Sequence, residues 1–489
     1  MHCANPFDVE FPWGRITRKG DNTLYLHIYQ LPESGKINIP CKFHGHASAT
    51  LLKGKQKVTL HQNENGCLID LNGQPMDEIA TVVKLKGKWE NLIPYVTSIY
   101  TQIILTTLQH KSKRMKRIIW LDVLKFIAIF MVICVHCSDP FNVSPEARSN
   151  PDFNFWGNIY GSFLRPCVPL FVMITGALLL PVKLSMKDFY KKRLLRIAFP
   201  FIIWSILYNL FPWFTGVLGL PNHIISDIFV YAPSDASQTF SDALKNILLI
   251  PIQFSTYTVP MWYLYMLIGI YLYMPILSSW IEKANSKQKQ FMLELWAITL
   301  LLPYAYSFYS ADLLGTCAWN SFGTLYYFAG FSGYLLLGHF IFKELKDYNL
   351  GKTLLMALPM LAMGYAITYM GFKNMTAQPD CSEHDLELFF LYCSPNVALM
   401  TIAWFLIIRK VKIQSPKAIS ALTSISKCAL GIYMVHYFVV GFGYAIATSI
   451  AIPVSIRIPA TATITFFICW GFVALGYKIM PKYAKWIFG

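Results

Sequence analysis

The sequence predicts a mainly α-helical membrane protein, a polytopic bundle of about ten transmembrane helices that follows a small β-sandwich. Ten apolar segments succeed one another between residues 118 and 478. Each is close to the length of about 20 residues that a helix needs to cross a bilayer. Charged residues make up only 14% of the chain, whereas soluble domains contain about 25%. The first 90 residues show instead the alternation of apolar and polar residues that is typical of strands.

Changes of composition divide the chain into three parts. The middle part contains a moderately apolar stretch, 92–108, which polar residues interrupt, so we predict a linker or an interfacial helix there. It ends in the basic run KSKRMKR. A membrane protein that began at Met115 in this run would look complete, so we expect the preceding residues to be a separable addition. The predicted parts are a β-sandwich over 1–90, a linker with a basic juxtamembrane segment over 91–117, and a membrane domain over 118–489.

The N-terminal part carries the periodicity of strands. Leu24, Leu26 and Ile28 alternate with more polar neighbours, and turn signals such as Asn65-Gly66 separate about seven short strands. The stretches WGRITRKGDNTLYLHIYQLPESGKINIP, ATLLKGKQKVTL and ATVVKLKG resemble the C-terminal β-sandwich of α-L-fucosidases. In that family the module follows a catalytic barrel, which this sequence lacks. The resemblance therefore implies an accessory or glycan-contacting module and no fucosidase activity.

The basic residues of the connections predict the orientation of the membrane domain. The run before the first apolar segment and the connections after the even-numbered segments hold 25 lysines and arginines, if Lys478 at the very end of the last segment is counted with them, and the other connections hold 4. Because basic residues favour the cytoplasmic side, we expect both termini there, in a multi-pass protein of a bacterial inner membrane. The net charge of +16 then reflects topology and membrane lipids, not nucleic acid. The ten segments are 118–138, 160–182, 197–217, 260–281, 291–309, 323–342, 353–371, 387–408, 428–448 and 458–478.

Three ionisable residues interrupt the first apolar segment. Lys125 and His136 are 11 residues apart, which places them on one helix face about 16 Å apart along the axis. Asp122 lies one turn before Lys125 and can pair with it. Since ionisable groups within a span usually face protein or a polar cavity, the stripe indicates a functional interior. A capped salt bridge near one end and an interfacial histidine near the other would explain it equally well.

Two further groups of polar residues follow. Arg165 stands beside Pro166 near the outer end of the second segment, where a broken helix could expose backbone to a cavity or simply kink. Lys192, Arg193 and Arg196 follow at the inner side, and arginine forks match phosphate groups. Ordinary positive-inside flanking would also explain these three. Together the groups suit a long substrate with an anionic head at the cytoplasmic mouth and a reactive tip near His136, which is the shape of acyl-coenzyme A.

The membrane domain resembles the membrane acyltransferase family 3 proteins. Lys125 and His136 match that family's R/K-X10-H motif, and further blocks follow in the family's order. Two departures are that Lys125 replaces the commoner arginine and that Thr175-Gly176-Ala177 stands where many members have a Ser-Gly-aromatic triplet. The resemblance implies transfer of an acyl group, most often acetyl or succinyl, from acyl-CoA to a hydroxyl of a glycan or lipid-linked sugar. The blocks are LDVLKFIAIFMVICVH, RPCVPLFVMITGALLL, YKKRLLRIAFPFIIW, VPMWYLYMLIGIYLYMPIL, SGYLLLGHF and LGIYMVHYF.

These observations give each candidate residue a predicted role. We expect His136 to act as general base, because imidazole titrates near neutrality. Lys125 would contact the polar arm of the donor, and Arg165 would orient a substrate or stabilise the oxyanion. Lys192, Arg193 and Arg196 would bind the phosphates of acyl-CoA.

Other residues and other functions offer alternatives to this assignment. His436 is more simply a core histidine bonded to backbone. The 11 cysteines show no metal-ligand spacing, so we expect no metal. A transporter that relays protons through Asp122, Lys125 and His136 is the principal alternative, and a non-catalytic membrane anchor is a third. Release of coenzyme A distinguishes the enzyme from both.

Overall fold

The computed structural model describes residues 7, 11–63, 66–77, 79–90, 117–142, 145–218, 238–310, 312–321, 323–378, 381–450 and 452–489. The chain divides into two compact units, Met1–Arg117 and Ile118–Gly489. The predicted linker over 91–116 and residues 219–237 of the longest connection lie outside the described residues.

The N-terminal unit is an antiparallel half-barrel of seven strands, as the turn spacing predicts. Leu24, Leu26 and Ile28 point into its core and are at most 1% exposed, which confirms the predicted alternation in the second strand. The arrangement is compatible with the small β-sandwich expected from the sequence. In the order β1-β2-β7-β4-β5-β6-β3 across the sheet, the strands are β1 Gly14–Lys19, β2 Thr23–Ile28, β3 Lys36–Ile39, β4 Lys42–Leu51, β5 Lys57–Asn63, β6 Gly66–Asp70 and β7 Thr81–Glu90.

The second unit is helical, and its helices begin where the sequence supplies capping groups. Asn150, Asn285 and Asn349 each accept a hydrogen bond from the first turn of the helix that follows. The helices are α1 Ile119–Ser138, α2 Pro145–Ser149, α3 Pro151–Phe163, α4 Cys167–Leu179, α5 Met186–Phe189, α6 Leu195–Val217, α7 Phe240–Leu249, α8 Trp262–Lys283, α9 Ser286–Thr299, α10 Leu302–Phe308, α11 Ser332–Lys343, α12 Leu350–Thr376, α13 Glu383–Glu387, α14 Pro395–Ile408, α15 Pro416–Ser449, α16 Val454–Ile479 and α17 Ala484–Ile487.

Within the described residues, nine helical segments are long and apolar enough to cross a membrane, and they correspond to nine of the ten predicted spans. The chain is therefore a multi-pass integral membrane protein. Over the predicted span 323–342 the α-helix is α11, which begins only at Ser332 and has 12 residues. Gly315, Gly323 and Gly330 adopt positive φ before it and break the helical path. Most of α11 is buried in protein.

Helix α1 occupies the centre of the membrane unit. It packs against α4, α15 and α16, and Leu124, Ala128, Ile129 and Ile133 are completely buried. Its predicted functional residues consequently project from a helix that is surrounded by protein.

Two glycines let α4 and α11 approach backbone to backbone. A Cβ atom on Gly176 would lie 1.9 Å from the carbonyl oxygen of Leu335, and one on Gly338 would lie 2.1 Å from that of Met173. Gly176 and Gly338 therefore permit close packing of the two helices. Helix α4 also packs against α1 and supplies one wall of the site.

Candidate active site

Lys125 projects from α1 into a cavity of about 250 Å³. Helices α4, α8 and α15 supply the other walls, with apolar side chains that include Phe171, Leu267 and Leu430. Thr175 also lines the cavity, so the position that departs from the expected serine faces this space. A half-buried ammonium group in an apolar-walled cavity is a site that can hold the polar arm of a ligand.

Two basic residues line the same cavity from the chain segment before α6. Arg193 belongs to a π-helical turn, Tyr190–Leu194, and Arg196 follows in the first turn of α6. Such turns change the direction of side chains and recur at functional sites. With this turn, both Arg193 and Arg196 line the same cavity.

A second recess of about 460 Å³ adjoins the first at its basic end. Arg196 and Lys427 line both recesses, and Lys192 lines the second. In the sequence Lys427 is one of the flanking charges that indicate orientation, because no local sequence pattern links α15 to the segment before α6. The cations that surround the two recesses, apart from Lys125, are Lys191, Lys192, Arg193, Arg196, Lys427 and Lys485.

Lys427 also shows how the cavity runs. It and Tyr433 both line the cavity, six residues apart on α15, which is about 9 Å along the helix axis. The cavity therefore extends from the basic recess towards Tyr433. At the basic end, Arg196 Nη2 donates to the carbonyl oxygen of Gly489 at 3.0 Å, and Tyr477 donates to the same oxygen at 2.7 Å.

His136 lies in the last turn of α1, outside the lining of both recesses. Its Nδ1 is 3.0 Å from Oδ2 of Asp139, and both side chains are largely buried, at 19% and 22% exposed. Asp139 starts the 3-10 turn Asp139–Phe141 that follows α1. A carboxylate that accepts from Nδ1–H leaves Nε2 as the unprotonated nitrogen of the neutral ring, which is the arrangement of a general base. Sequence reasoning missed Asp139, although the i, i+3 spacing at the helix end was a usable signal.

His436 contacts His136 from the neighbouring helix α15. Its Nδ1 is hydrogen-bonded to the carbonyl oxygen of Tyr433, and the side chain is completely buried. This agrees with the predicted backbone-bonded core histidine. The centres of the His136 and His436 rings are nevertheless only 5.2 Å apart, and Tyr437 packs edge-on against His136 at the same distance. His136 and His436 are 300 positions apart in the chain, so no local sequence pattern predicts this contact.

Arg165 lies in the break between α3 and α4. Its Nε donates to the carbonyl oxygen of Gly161 at 2.9 Å, and its guanidinium carbon is 3.8 Å from the centre of the Phe390 ring. Asn142, which follows the 3-10 turn after α1, reaches the same Gly161, since a Cβ atom there would lie 2.6 Å from Asn142 Nδ2. This places the arginine on the same side of the bundle as the end of α1. Arg165 lines neither recess.

The structure thus separates the predicted residues into two sets. Lys125, Arg193 and Arg196 share one cavity and Lys192 adjoins it, whereas His136 and Arg165 lie nearer the other end of the bundle. Asp122 is buried on α1, at 6% exposed, and its pairing with Lys125 stays a prediction.

The fold and this site define a polytopic membrane protein with a cavity that is basic at one end and approaches a histidine pair at the other. The family model for the acyltransferase domain, Acyl_transf_3, matches residues 118–477. The chain therefore belongs to this acyltransferase family. The match begins after the N-terminal half-barrel and includes every candidate site residue except Lys485 and Gly489. No curated protein and no solved structure matches the chain.

Proposed function

We propose that the protein transfers an acyl group, with acetyl as the first candidate, from acyl-CoA to a hydroxyl of a glycan or lipid-linked sugar. The observation that carries this proposal is the cavity, which has a cluster of cations at one end and Tyr433, a neighbour of the His436–His136 pair, at the other. Membership of the acyltransferase family supports the class of reaction. An assay with labelled acetyl-CoA and a glycan extract tests acyl-CoA as the donor and a sugar hydroxyl as the acceptor.

Donor binding follows from the charge and shape of the two recesses. Arg196 and Lys427 lie where the recesses meet, and Arg193 lines the first recess beside them. Phosphate groups are recognised by such clusters through charge-assisted hydrogen bonds. A phosphate oxygen would replace the carbonyl oxygen of Gly489 as the acceptor for Arg196. The apolar walls then accommodate the pantetheine arm, and Lys125 supplies a donor for its amide oxygens.

The transfer step uses His136 and Asp139. His136 Nε2 takes the proton of the acceptor hydroxyl as the oxygen attacks the thioester carbonyl, so a carbon–oxygen bond forms. Asp139 stabilises the resulting imidazolium through Nδ1. The tetrahedral intermediate then breaks its carbon–sulfur bond, and the imidazolium returns the proton to the departing thiolate, which leaves as coenzyme A. Arg165 would stabilise the oxyanion or orient the acceptor from the same end of the bundle.

The orientation follows from the positive-inside distribution. We propose that the basic recesses open to the cytoplasm of a bacterial cell, where acyl-CoA is available, and that both termini lie there too. His136 would then stand near the far side of the inner membrane, about 16 Å beyond Lys125 along α1.

The test measures transfer of label from radiolabelled acetyl-CoA to an extract of host surface glycans, with purified protein in nanodiscs. We expect wild type to transfer label and release coenzyme A, and His136→Asn to lose at least 100-fold in rate, because general base catalysis contributes about 10²–10⁴-fold. His339→Asn is the matched control, since His339 is a buried histidine bonded through Nδ1 to Leu180. Equal rates for wild type and His136→Asn would refute the base assignment. Absence of coenzyme A release and donor binding in wild type would favour the transporter.

A further inference from the structure

His436 has one ring nitrogen for which the described part of the chain supplies no hydrogen-bond partner. Its Nδ1 is bonded to the carbonyl oxygen of Tyr433, so Nδ1 carries the proton and Nε2 is an acceptor. Nε2 is buried and has no hydrogen-bond partner among the described residues. Buried polar atoms are almost always paired, so an unpaired one in a native structure requires an explanation.

The ring of His436 lies next to Tyr433, at the end of the cavity. The ring of Tyr433 lines the cavity and its centre is 5.4 Å from that of His436. The centre of the His136 ring is 5.2 Å from that of His436. His436 is therefore a direct neighbour both of the point that the cavity reaches and of the proposed base.

We propose that Nε2 of His436 accepts a hydrogen bond from the amide N–H of the donor that is nearest to the thioester. This inference rests on the proposed function and extends it to a binding residue for the donor. In acyl-CoA two methylene groups and the sulfur separate that amide nitrogen from the thioester carbon, a span of roughly 5 Å when extended. The span is comparable with the distance between the two rings. Holding the amide at His436 thus brings the thioester carbon to His136.

The test compares acetyl-CoA with an analogue in which this amide nitrogen is methylated. Wild type is expected to use the analogue about tenfold less efficiently in kcat/KM, the value of one hydrogen bond. His436→Asn keeps a side-chain N–H that can donate to the carbonyl oxygen of Tyr433 but lacks Nε2. It should have a raised KM for acetyl-CoA and the same efficiency with both donors. His436→Gln places an acceptor oxygen near the Nε2 position and should recover part of the discrimination.

Each contrary result would overturn the inference. Wild type that does not distinguish the donors would show that the N–H is not bound, whatever happens to the variants. Equal discrimination by wild type and His436→Asn would assign the N–H to another acceptor. A raised KM for the sugar with unchanged donor discrimination would mean that Nε2 binds the acceptor hydroxyl instead. If His436→Asn does not fold, the donor discrimination of His436→Gln is compared with that of wild type to test the inference. Absence of donor binding and of coenzyme A release in wild type with both acetyl-CoA and succinyl-CoA would refute the proposed function itself.

Discussion

His136 and His436 are chemically the same side chain in two different settings. The Nδ1 of His136 faces the carboxylate of Asp139, whereas the Nδ1 of His436 faces the carbonyl oxygen of Tyr433. A carboxylate stabilises an imidazolium, and a neutral carbonyl does so much less. The two hydrogen-bond partners therefore support the proposed roles, proton transfer for His136 and neutral hydrogen bonding for His436.

Asp139→Asn tests the first of these assignments. The amide preserves the size of the side chain but cannot stabilise the imidazolium, so we expect kcat to fall by about 10²–10⁴-fold while the KM for acetyl-CoA stays within about twofold. Steady-state kinetics with acetyl-CoA would measure both constants. Asp242→Asn is the control, because Asp242 is an exposed capping residue of α7. A change confined to KM would contradict the role given to Asp139.

Lys427→Gln tests the donor-binding cluster. Lys427 lines both recesses, so its removal should raise the KM for acetyl-CoA about 3–10-fold and leave kcat nearly unchanged, since an exposed charge is partly screened by solvent. Lys417 lies ten residues earlier on the same helix and lines neither recess. Lys417→Gln should therefore behave as wild type, and equal effects of the two substitutions would show that general surface charge, not the site, binds the donor.

At the scale of elements, the pairing of α4 with α11 determines where one cavity wall stands. The two backbones touch at Gly176 and Gly338, each of which faces a carbonyl oxygen of the other helix. Helix α4 carries Thr175 and Phe171 towards the cavity. A separation of the two helices would therefore move the wall as well as weaken the fold.

Gly338→Ala should measure the importance of this contact. The added methyl group would lie 2.1 Å from the carbonyl oxygen of Met173, so the helices must part, and overpacking of this kind costs about 1–3 kcal/mol. We expect a lower melting temperature in detergent and less folded protein. Gly269→Ala on α8 is the matched control, because nothing lies within 4 Å of its added methyl group. An unchanged melting temperature for Gly338→Ala would show that the contact is not tight in the membrane.

At the scale of the whole molecule, the two units have separate cores. The buried apolar residues of the half-barrel form one cluster, and those of the membrane unit form a large cluster and a small one around Phe390. Each core therefore buries its own apolar surface, and the acyltransferase family match covers only the second unit.

A chain shortened to begin at Met115 should consequently insert and retain transfer. We expect its membrane yield and kcat/KM for acetyl-CoA to lie within about threefold of the full chain, since every residue of the candidate site lies after that point. Membrane fractionation and the label-transfer assay would measure both. Loss of insertion or of transfer would show that the N-terminal unit is integral to the enzyme.

The sequence alone determined the features that depend on local patterns. Apolar length predicted nine of the spans, alternation predicted β2, and the spacing of Lys125 and His136 placed both on the central helix. The span over 323–342 was the exception. Hydropathy gives the apolar length of this segment but not that its helix, α11, begins only at Ser332.

Only the tertiary structure decided which distant residues meet. It brought His436 to His136 and Lys427 to Arg196, and it placed Thr175 on the cavity. The physical reason is that such contacts depend on which helices pack together and at what rotation. Those choices are made by the summed packing of many apolar side chains and by close approaches such as that at Gly176, and no spacing within one segment records them.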